Sequence, residues 1–132
     1  MIVLDTSAAV ELLLNLPLGV RVRERLEEAD WHAHAPQLLT VEVLQVLRRR
    51  VAAGITTVAA AEEALGLLDD LALSYHEHQM FAPRVWALRA NLTAYDAIFV
   101  ALAEALDADL LTTDARLAHA PGNRARIELI EP

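Results

Sequence analysis

Cysteine and lysine are both absent from this chain of 132 residues. Without cysteine, disulfides and thiolate chemistry are excluded. Without lysine, all of the basic residues are arginine, and the Gly-Lys pair of a P-loop nucleotide-binding site cannot be present. Receiver-type signalling domains and phosphatases of the haloacid dehalogenase type also place a lysine near their acidic sites. The missing lysine therefore disfavours both of these classes.

Long uncharged hydrophobic runs and an excess of positive charge are missing as well. No apolar run reaches the roughly 18 residues needed to span a membrane. The N-terminus, MIVLDTS, has no basic region before Asp5, so no signal peptide is predicted and a cytoplasmic location is expected. The net charge of -8 disfavours a nonspecific nucleic-acid-binding module. It is compatible with an enzyme whose acidic site is neutralised by a metal ion.

The length favours a single domain spanning residues 1–132, and a hydrophobic content of 55% predicts a folded chain with a core. Short apolar segments alternate with longer helical patterns, which predicts an α/β fold with a parallel sheet of four to five strands. The predicted strands are residues 1–4, 31–35, 74–78, 109–112 and 127–130. The predicted helices are residues 7–15, 18–29, 36–53, 58–71, 83–90, 93–106 and 114–120. Pro36 is expected in the first turn of the third helix.

Four carboxylates are expected to meet at one edge of this sheet. Asp5 ends the first strand, and Asp114 follows the fourth. Glu42 lies in the second turn of the helix after the second strand, and Asp96 lies in the first turn of the helix before the fourth. Ligands of open α/β sheets bind beyond the carboxyl ends of the strands. All four acids can therefore face one site.

Each of these acids also has a purely structural interpretation. Asp5 and Asp114 can cap the helices that follow them, Thr93 and Asp96 match a capping box, and Glu42 can be a surface glutamate. However, Asp96 and Glu42 each share a helical face with apolar residues, which directs both carboxylates towards the core. Clustered buried carboxylates repel one another, and a divalent cation relieves the repulsion. Oxygen-only ligands suit Mg²⁺ or Mn²⁺ better than Zn²⁺.

Four motifs, in this order and spacing, carry a resemblance to a known family. They are DTS starting at Asp5, APQLLTVE ending at Glu42, LTAYDAIFVALAEAL around Asp96, and LLTTDARLA around Asp114. With these motifs the whole chain resembles PIN-domain proteins of the VapC toxin family. The resemblance implies a three-layer α/β/α PIN-like fold with a central parallel sheet, and a metal-dependent ribonuclease. One departure is Asp107, where such chains often have glycine between helix and strand.

The resemblance assigns roles residue by residue. The catalytic acids would be Asp5, Glu42, Asp96 and Asp114. The ligands of Mg²⁺, for which Mn²⁺ can substitute, would be Asp5, Asp96 and Asp114. Thr6 and Thr112 would be polar supports. The implied reaction is hydrolysis of RNA phosphodiester bonds by a metal-activated water. Arg116 is expected either to contact a phosphate or to be solvated.

The resemblance also implies partners. These are an RNA substrate, a cognate VapB-like antitoxin that holds the toxin inactive, a second copy in a homodimer, and a higher assembly with the antitoxin. The segment VELLLNLPL, residues 10–18, is more apolar than one helix face requires. Burial in the core and a groove for a partner are both open, and the resemblance favours the groove. The alternative function is a catalytically silent PIN domain that acts as an RNA- or protein-binding module.

Two further patterns have weaker functional interpretations. The run Arg48-Arg49-Arg50 ends the third predicted helix, where favourable charge at a helix C-terminus is preferred over an RNA contact. The His-x-His pairs His32/His34 and His76/His78 lie on predicted strands, so either pair could bind a transition metal. Neither pair has a third ligand nearby in sequence, and ordinary strand-end histidines are the favoured interpretation.

Overall fold

The computed structural model describes all residues from Met1 to Pro132. Its five strands are β1 (Ile2–Leu4), β2 (Ala33–Pro36), β3 (Ser74–His76), β4 (Asp109–Thr112) and β5 (Arg126–Leu129). Its helices are α1 (Thr6–Leu13), α2 (Gly19–Glu28), α3 (Leu38–Ala52), α4 (Val58–Asp70), α5 (Ala82–Ala87), α6 (Ala94–Leu106) and α7 (Ala115–Ala118). A 3₁₀ turn, Gln79–Phe81, precedes α5. No helix is both long and apolar enough to cross a membrane.

The five strands form one sheet in the order β3-β2-β1-β4-β5, and every neighbouring pair is parallel. Helices cover both faces, so the predicted three-layer α/β/α fold is confirmed. The first strand of the chain lies at the centre of the sheet. Its register with β4 pairs Leu4 with Leu111, so the residues that follow the two strands emerge side by side at one edge.

Burial explains the near-continuous apolar segments of the central elements. Ile2, Val3 and Leu4 of β1 are at most 1% exposed, as expected for a parallel strand covered on both faces. In α6, every residue from Ala97 to Ala103 is buried. Asp96 immediately precedes this run, so the packing of α6 fixes its place at the sheet edge.

The prediction for Pro36 was wrong, because this residue ends β2 and α3 begins only at Leu38. Gln37 donates its backbone N–H to the carbonyl of His76 on β3. Successive residues of a strand point their N–H groups to opposite sides, so position 36 faces the β1 side. There the pairing already ends at His34, and the missing N–H of proline interrupts no ladder.

The bounds of β4 are those predicted, and those of the other helices and strands differ from the predictions at one or both ends by one to a few residues. Thr57 caps α4, since its hydroxyl accepts from the N–H of Ala60 at 3.1 Å. Gly54 follows α3 with a φ of 72°, which is the left-handed conformation expected of a terminating glycine.

Candidate acidic active site

Asp5 is held at the end of β1 by two hydroxyl groups. Ser7 Oγ donates to Asp5 Oδ2 at 2.6 Å, and Thr112 Oγ1 donates to the same oxygen at 2.8 Å. The Asp5 side chain is buried, with the residue only 6% exposed. It occupies the N-cap position of α1 without a side-chain hydrogen bond that caps the helix. The capping interpretation of Asp5 was therefore wrong.

The electrostatic environment of Asp5 contains opposing effects. Burial raises the pKa of Asp5, the hydrogen bonds from Ser7 and Thr112 lower it, and the negative charge of Asp96 raises it further. The net direction is upward. Since two hydroxyl donors both point at one oxygen, the fold is arranged to hold an ionised carboxylate in a place where burial disfavours one.

Ser7 is a site residue that the sequence analysis did not single out. Besides its bond to Asp5, its oxygen accepts from the backbone N–H of Thr113 at 3.0 Å and lies 3.1 Å from Thr112 Oγ1. Thr112 Oγ1 in turn accepts from the backbone N–H of Asp114 at 3.0 Å. The DTS motif was the available signal, because a hydroxyl two residues after a strand-end aspartate can reach back to it.

Glu42 reaches the same edge from α3. Thr6 Oγ1 donates to Glu42 Oε1 at 2.7 Å, which joins the first turn of α1 to α3. Burial raises the pKa of the half-buried Glu42, the Thr6 bond lowers it, and repulsion from Asp5 and Asp96 raises it. Glu42 is therefore not a plain surface glutamate. It lies within the electrostatic range of both aspartates.

Asp96 and Asp114 lie on the outer side of this group, and Arg116 bridges them. Its Nη2 donates to Asp96 Oδ2 at 3.0 Å and to Asp114 Oδ2 at 3.2 Å. The other Asp114 oxygen accepts from the N–H of Arg116 at 2.9 Å and caps α7, so its capping interpretation is correct. Thr93 caps α6 through the N–H of Asp96, but the Asp96 carboxylate binds Arg116 instead of completing a capping box.

The four acids thus gather at the carboxyl edge of the central strands, as expected from the topology. In this arrangement no three His, Asp or Glu side chains stand close enough to hold one metal ion together. The only cation in contact with the acids is Arg116, which touches the outer pair and leaves Asp5 and Glu42 without a positive partner. The oxygen-only donor set suits Mg²⁺ or Mn²⁺. A guanidinium between two carboxylates also shows that this position attracts a cation.

An apolar groove lies beside α1 and α4. It encloses a cavity of about 470 Å³, and its lining residues are Leu12, Leu13, Arg23, Trp31, Leu67, Asp70, Leu71 and Ala72. Leu12 and Leu13 are themselves buried, whereas Leu67 is 43% exposed. Residues 10–18 therefore fill the core and also form one wall of a groove, and the binding of a partner in that groove stays a prediction.

The histidines do not pair as the His-x-His motifs suggested. His34 Nδ1 lies 2.9 Å from His76 Nε2 on the neighbouring strand, and burial together with His76 lowers the pKa of His34. His78 Nε2 accepts the backbone N–H of Leu38 at 3.0 Å, which satisfies the first turn of α3. Neither motif acquires a third ligand. The structure supports the interpretation as strand-end histidines.

The arginine run at the end of α3 shows no contact with the acidic site. Arg50 Nε donates to Thr56 Oγ1 at 3.0 Å and secures the turn after the helix, while Arg48 and Arg49 are exposed. This agrees with charge placed at a helix C-terminus. A contact of the run with RNA stays a prediction.

Comparison with known proteins agrees with this fold. A model of the PIN domain matches residues 2–123. The chain is similar to a VapBC complex of Salmonella typhimurium bound to DNA, with a TM-score of 0.70, 18% identity and 96% of each chain covered. It is similar to VapBC2 of Rickettsia felis bound to a promoter DNA fragment, with a TM-score of 0.74 and 15% identity, over 99% of this chain and 100% of the other. At these identities, the likeness shows the fold.

Closer relatives in sequence carry the VapC name. Ribonuclease VapC12 of Mycobacterium tuberculosis is 39% identical over 132 residues, which covers 98% of this chain and 99% of the relative. Ribonuclease VapC1 of the same organism is 40% identical over 133 residues, which covers 97% of this chain and 96% of the relative. The protein belongs to the VapC family of PIN-domain proteins.

Proposed function

We propose that this protein is a metal-dependent endoribonuclease and the toxin of a type II toxin–antitoxin system. The observation that carries the proposal is the convergence of four carboxylates, two of them with pKa values raised by burial and mutual repulsion, at the carboxyl edge of the sheet. The names of the VapC ribonucleases of M. tuberculosis support RNA as the substrate. The proposed place of action is the cytoplasm.

Asp5, Asp96 and Asp114 are proposed to hold Mg²⁺, for which Mn²⁺ can substitute, and their side chains would move closer together than they stand in this structure in order to share the ion. When bound, the ion lowers the pKa of a water molecule and stabilises negative charge on phosphate oxygens. Ser7 and Thr112 fix one oxygen of Asp5, which leaves the other carboxylate oxygen as the proposed ligand. The negative charge of the carboxylates would also repel an RNA phosphate from the site until the metal ion is bound.

Glu42 is proposed to act as the general base. Thr6 holds Oε1, so Oε2 is the atom that would take a proton from the attacking water. Its raised pKa is an advantage in this role, because a more basic carboxylate accepts a proton more readily at neutral pH. Thr6 is accordingly a positioning residue that aims the Glu42 carboxylate.

The apolar groove is the proposed site for a segment of a VapB-like antitoxin. Its walls are mainly leucines of α1 and α4, and the oppositely charged Arg23 and Asp70 lie at its border. Such a groove suits an apolar segment flanked by charged residues. The structural likeness to VapBC complexes supports a partner of this kind. The homodimer and the higher assembly with antitoxin stay predictions.

The proposed activity is tested by incubating purified, antitoxin-free protein with total cellular RNA in Mg²⁺, in Mn²⁺ and in EDTA. Discrete fragments that require metal are expected. Asp96→Asn should lower cleavage by about a hundredfold or more, because a metal ligand is lost. Asp69→Asn, which changes an exposed aspartate of α4 in the same way, is the matched control and should cleave normally.

The competing candidate is a catalytically silent PIN domain that binds RNA or protein. The observation that favours it is the Arg116 bridge, because a guanidinium already neutralises two of the four acids. Absence of cleavage in every condition, from protein shown to be folded, would favour this candidate. Unchanged cleavage in Asp96→Asn would instead remove that residue from the site.

A further inference from the structure

Arg116 bridges the acidic site through a single nitrogen atom. Nη2 lies 3.0 Å from Asp96 Oδ2 and 3.2 Å from Asp114 Oδ2, so one nitrogen of the guanidinium sits between two carboxylates. The hydrogen bond to Asp96 and the charges of both aspartates raise the pKa of Arg116. The same two acids are proposed ligands of the divalent ion. The guanidinium and the ion therefore compete for the same oxygens.

The bridge can open without disturbing the fold. The Arg116 side chain is 67% exposed, and its remaining guanidinium nitrogens make no hydrogen bond or ion pair. The backbone N–H of Arg116 is bound separately by Asp114 Oδ1, which keeps α7 in place when the side chain moves. The guanidinium is thus a removable cation on a fixed backbone.

We propose that Arg116 is an internal counter-cation, which a divalent metal must displace in order to reach Asp96 and Asp114. The displaced guanidinium, still anchored at the first turn of α7, is then free to contact an RNA phosphate beside the site. Metal loading would release the phosphate-binding group, so the two events are coupled. This inference rests on the proposed metal site and adds a regulatory contact to it.

The chain offers a close control for this contact. Arg126 also bridges two aspartates, with its Nη1 2.7 Å from Asp107 and its Nε 2.8 Å from Asp109, and it is 60% exposed. Asp107 precedes β4 and Asp109 begins it, so this bridge lies at the N-terminal ends of the strands. The four acids lie at the C-terminal ends. Arg126→Gln and Arg116→Gln therefore make the same change in net charge, and only one of them opens the acidic site.

The test measures Mn²⁺ affinity by electron paramagnetic resonance of free Mn²⁺, in wild type, Arg116→Gln and Arg126→Gln. If the bridge is closed in about nine-tenths of the molecules, its removal tightens Mn²⁺ binding about tenfold, because the competent fraction rises to one. Arg126→Gln should stay within about twofold of wild type. A non-cleavable 2′-O-methyl RNA should bind Arg116→Gln more weakly than wild type in Mn²⁺, although the variant holds metal more tightly.

The outcomes separate this inference from the proposed nuclease. Tighter Mn²⁺ binding together with weaker RNA binding, in Arg116→Gln alone, supports the exchange. Equal Mn²⁺ affinity in wild type and Arg116→Gln overturns it and leaves the metal site standing. An equal increase in Mn²⁺ affinity in Arg116→Gln and Arg126→Gln also overturns it, since the change in net charge would then be the cause. No Mn²⁺ binding by any of the three proteins contradicts the metal site itself, and the exchange with it.

Discussion

Asp5 destabilises the folded state, and it is also a proposed ligand of the metal ion. Its carboxylate is buried beside Asp96, and these surroundings raise its pKa despite two hydroxyl donors. A group whose ionised form is disfavoured in the folded state lowers stability at neutral pH. The position of Asp5 is therefore explained by binding of a ligand and not by stabilisation of the fold. The unfavourable electrostatic energy of the ionised Asp5 is thus located where a bound cation would reduce it.

Asp5→Asn should therefore stabilise the metal-free protein. The raised pKa means that the stability cost appears as pH rises above the ordinary carboxyl value near 3.8 and grows until pH passes the pKa of the folded state. An asparagine oxygen accepts both hydroxyl donors without carrying a charge. The free energy of unfolding in EDTA at pH 7 should rise by more than the roughly 0.5 kcal/mol that a surface substitution typically changes, measured by urea denaturation.

Asp69→Asn serves again as the comparison, because it removes one negative charge from an exposed position. It should change the free energy of unfolding by less than about 0.5 kcal/mol. A clear loss of stability in Asp5→Asn would show that the carboxylate stabilises the fold, and would sink this account of its environment.

For single residues, the sequence predicts the positions of the four acids better than the side chains that contact them. Asp5 and Asp114 could be predicted to meet because each follows a strand of one parallel sheet. The bond from the Thr113 N–H to Ser7 could not be predicted, because it joins residues 106 positions apart and depends on the register of β1 with β4. The Arg116 bridge depends on a flexible side chain, whose rotamer no sequence pattern specifies.

Among the elements, α6 does most to position the site. Thr93 caps its start, its buried middle anchors it in the core, and Asp107 ends it in the left-handed conformation with a φ of 50° and a ψ of 42°. A residue other than glycine carries strain there, since its Cβ crowds the backbone. This is the position where the resemblance made glycine the expected residue, and the turn is formed nonetheless.

Asp107→Gly should stabilise the protein by about 0.5–1 kcal/mol, because glycine adopts the left-handed conformation without strain. The loss of the exposed Arg126–Asp107 ion pair offsets little of this gain. The bond from Arg126 Nη2 to the Asp107 carbonyl remains, since it uses the backbone. Thermal unfolding in EDTA measures the effect.

Asp107→Ala separates the conformational strain from the ion pair. It loses the same side-chain contact but keeps a Cβ, so it should be no more stable than wild type. If alanine and glycine stabilise the protein equally, the left-handed conformation is not the cause. RNA cleavage should be unaffected by either change, since Asp107 lies at the far end of α6 from Asp96.

The order of helices and strands was predictable, because the period of the apolar pattern changes along the chain. The pairing of residues on neighbouring strands was not predictable. Pro36 looked like a helix start, and only the end of the β1–β2 pairing at His34 explains why a strand accepts it. The histidine motifs suggested ligands within one strand. The register of β2 with β3, which pairs His34 with Ser74 and Pro36 with His76, brings together one histidine from each motif instead.

For the whole molecule, a net charge of -8 limits how it can bind RNA. An acidic surface repels phosphates, so binding has to rely on local cations at the site rather than on a broad basic face. The apolar groove is a separate surface of different chemistry. Cleavage and antitoxin binding should therefore respond to different substitutions. That residues 1–132 form one independent domain stays a prediction.

Leu67→Glu tests this separation. A charge in the apolar groove should weaken binding of the cognate antitoxin by about ten- to a hundredfold, because a carboxylate would be desolvated without a partner. Metal-dependent cleavage by the free variant should be unchanged. Leu44→Glu is the comparison, since Leu44 is exposed to a similar extent, at 45% against 43%, and lies on α3 outside this groove.

Affinity for the antitoxin is read by calorimetry on separately purified proteins. Equal weakening by both variants would mean that the antitoxin does not depend on this groove in particular. Full affinity in Leu67→Glu would remove the groove from the interface altogether.

Whether Asp5, Asp96 and Asp114 hold a metal ion can be seen by anomalous diffraction from crystals grown with Mn²⁺. The account predicts a manganese peak about 2.0–2.2 Å from carboxylate oxygens of Asp5, Asp96 and Asp114, with the Arg116 guanidinium moved away from both of its partners. No peak at these acids in crystals saturated with Mn²⁺, or a peak only at His34 and His76, would contradict it.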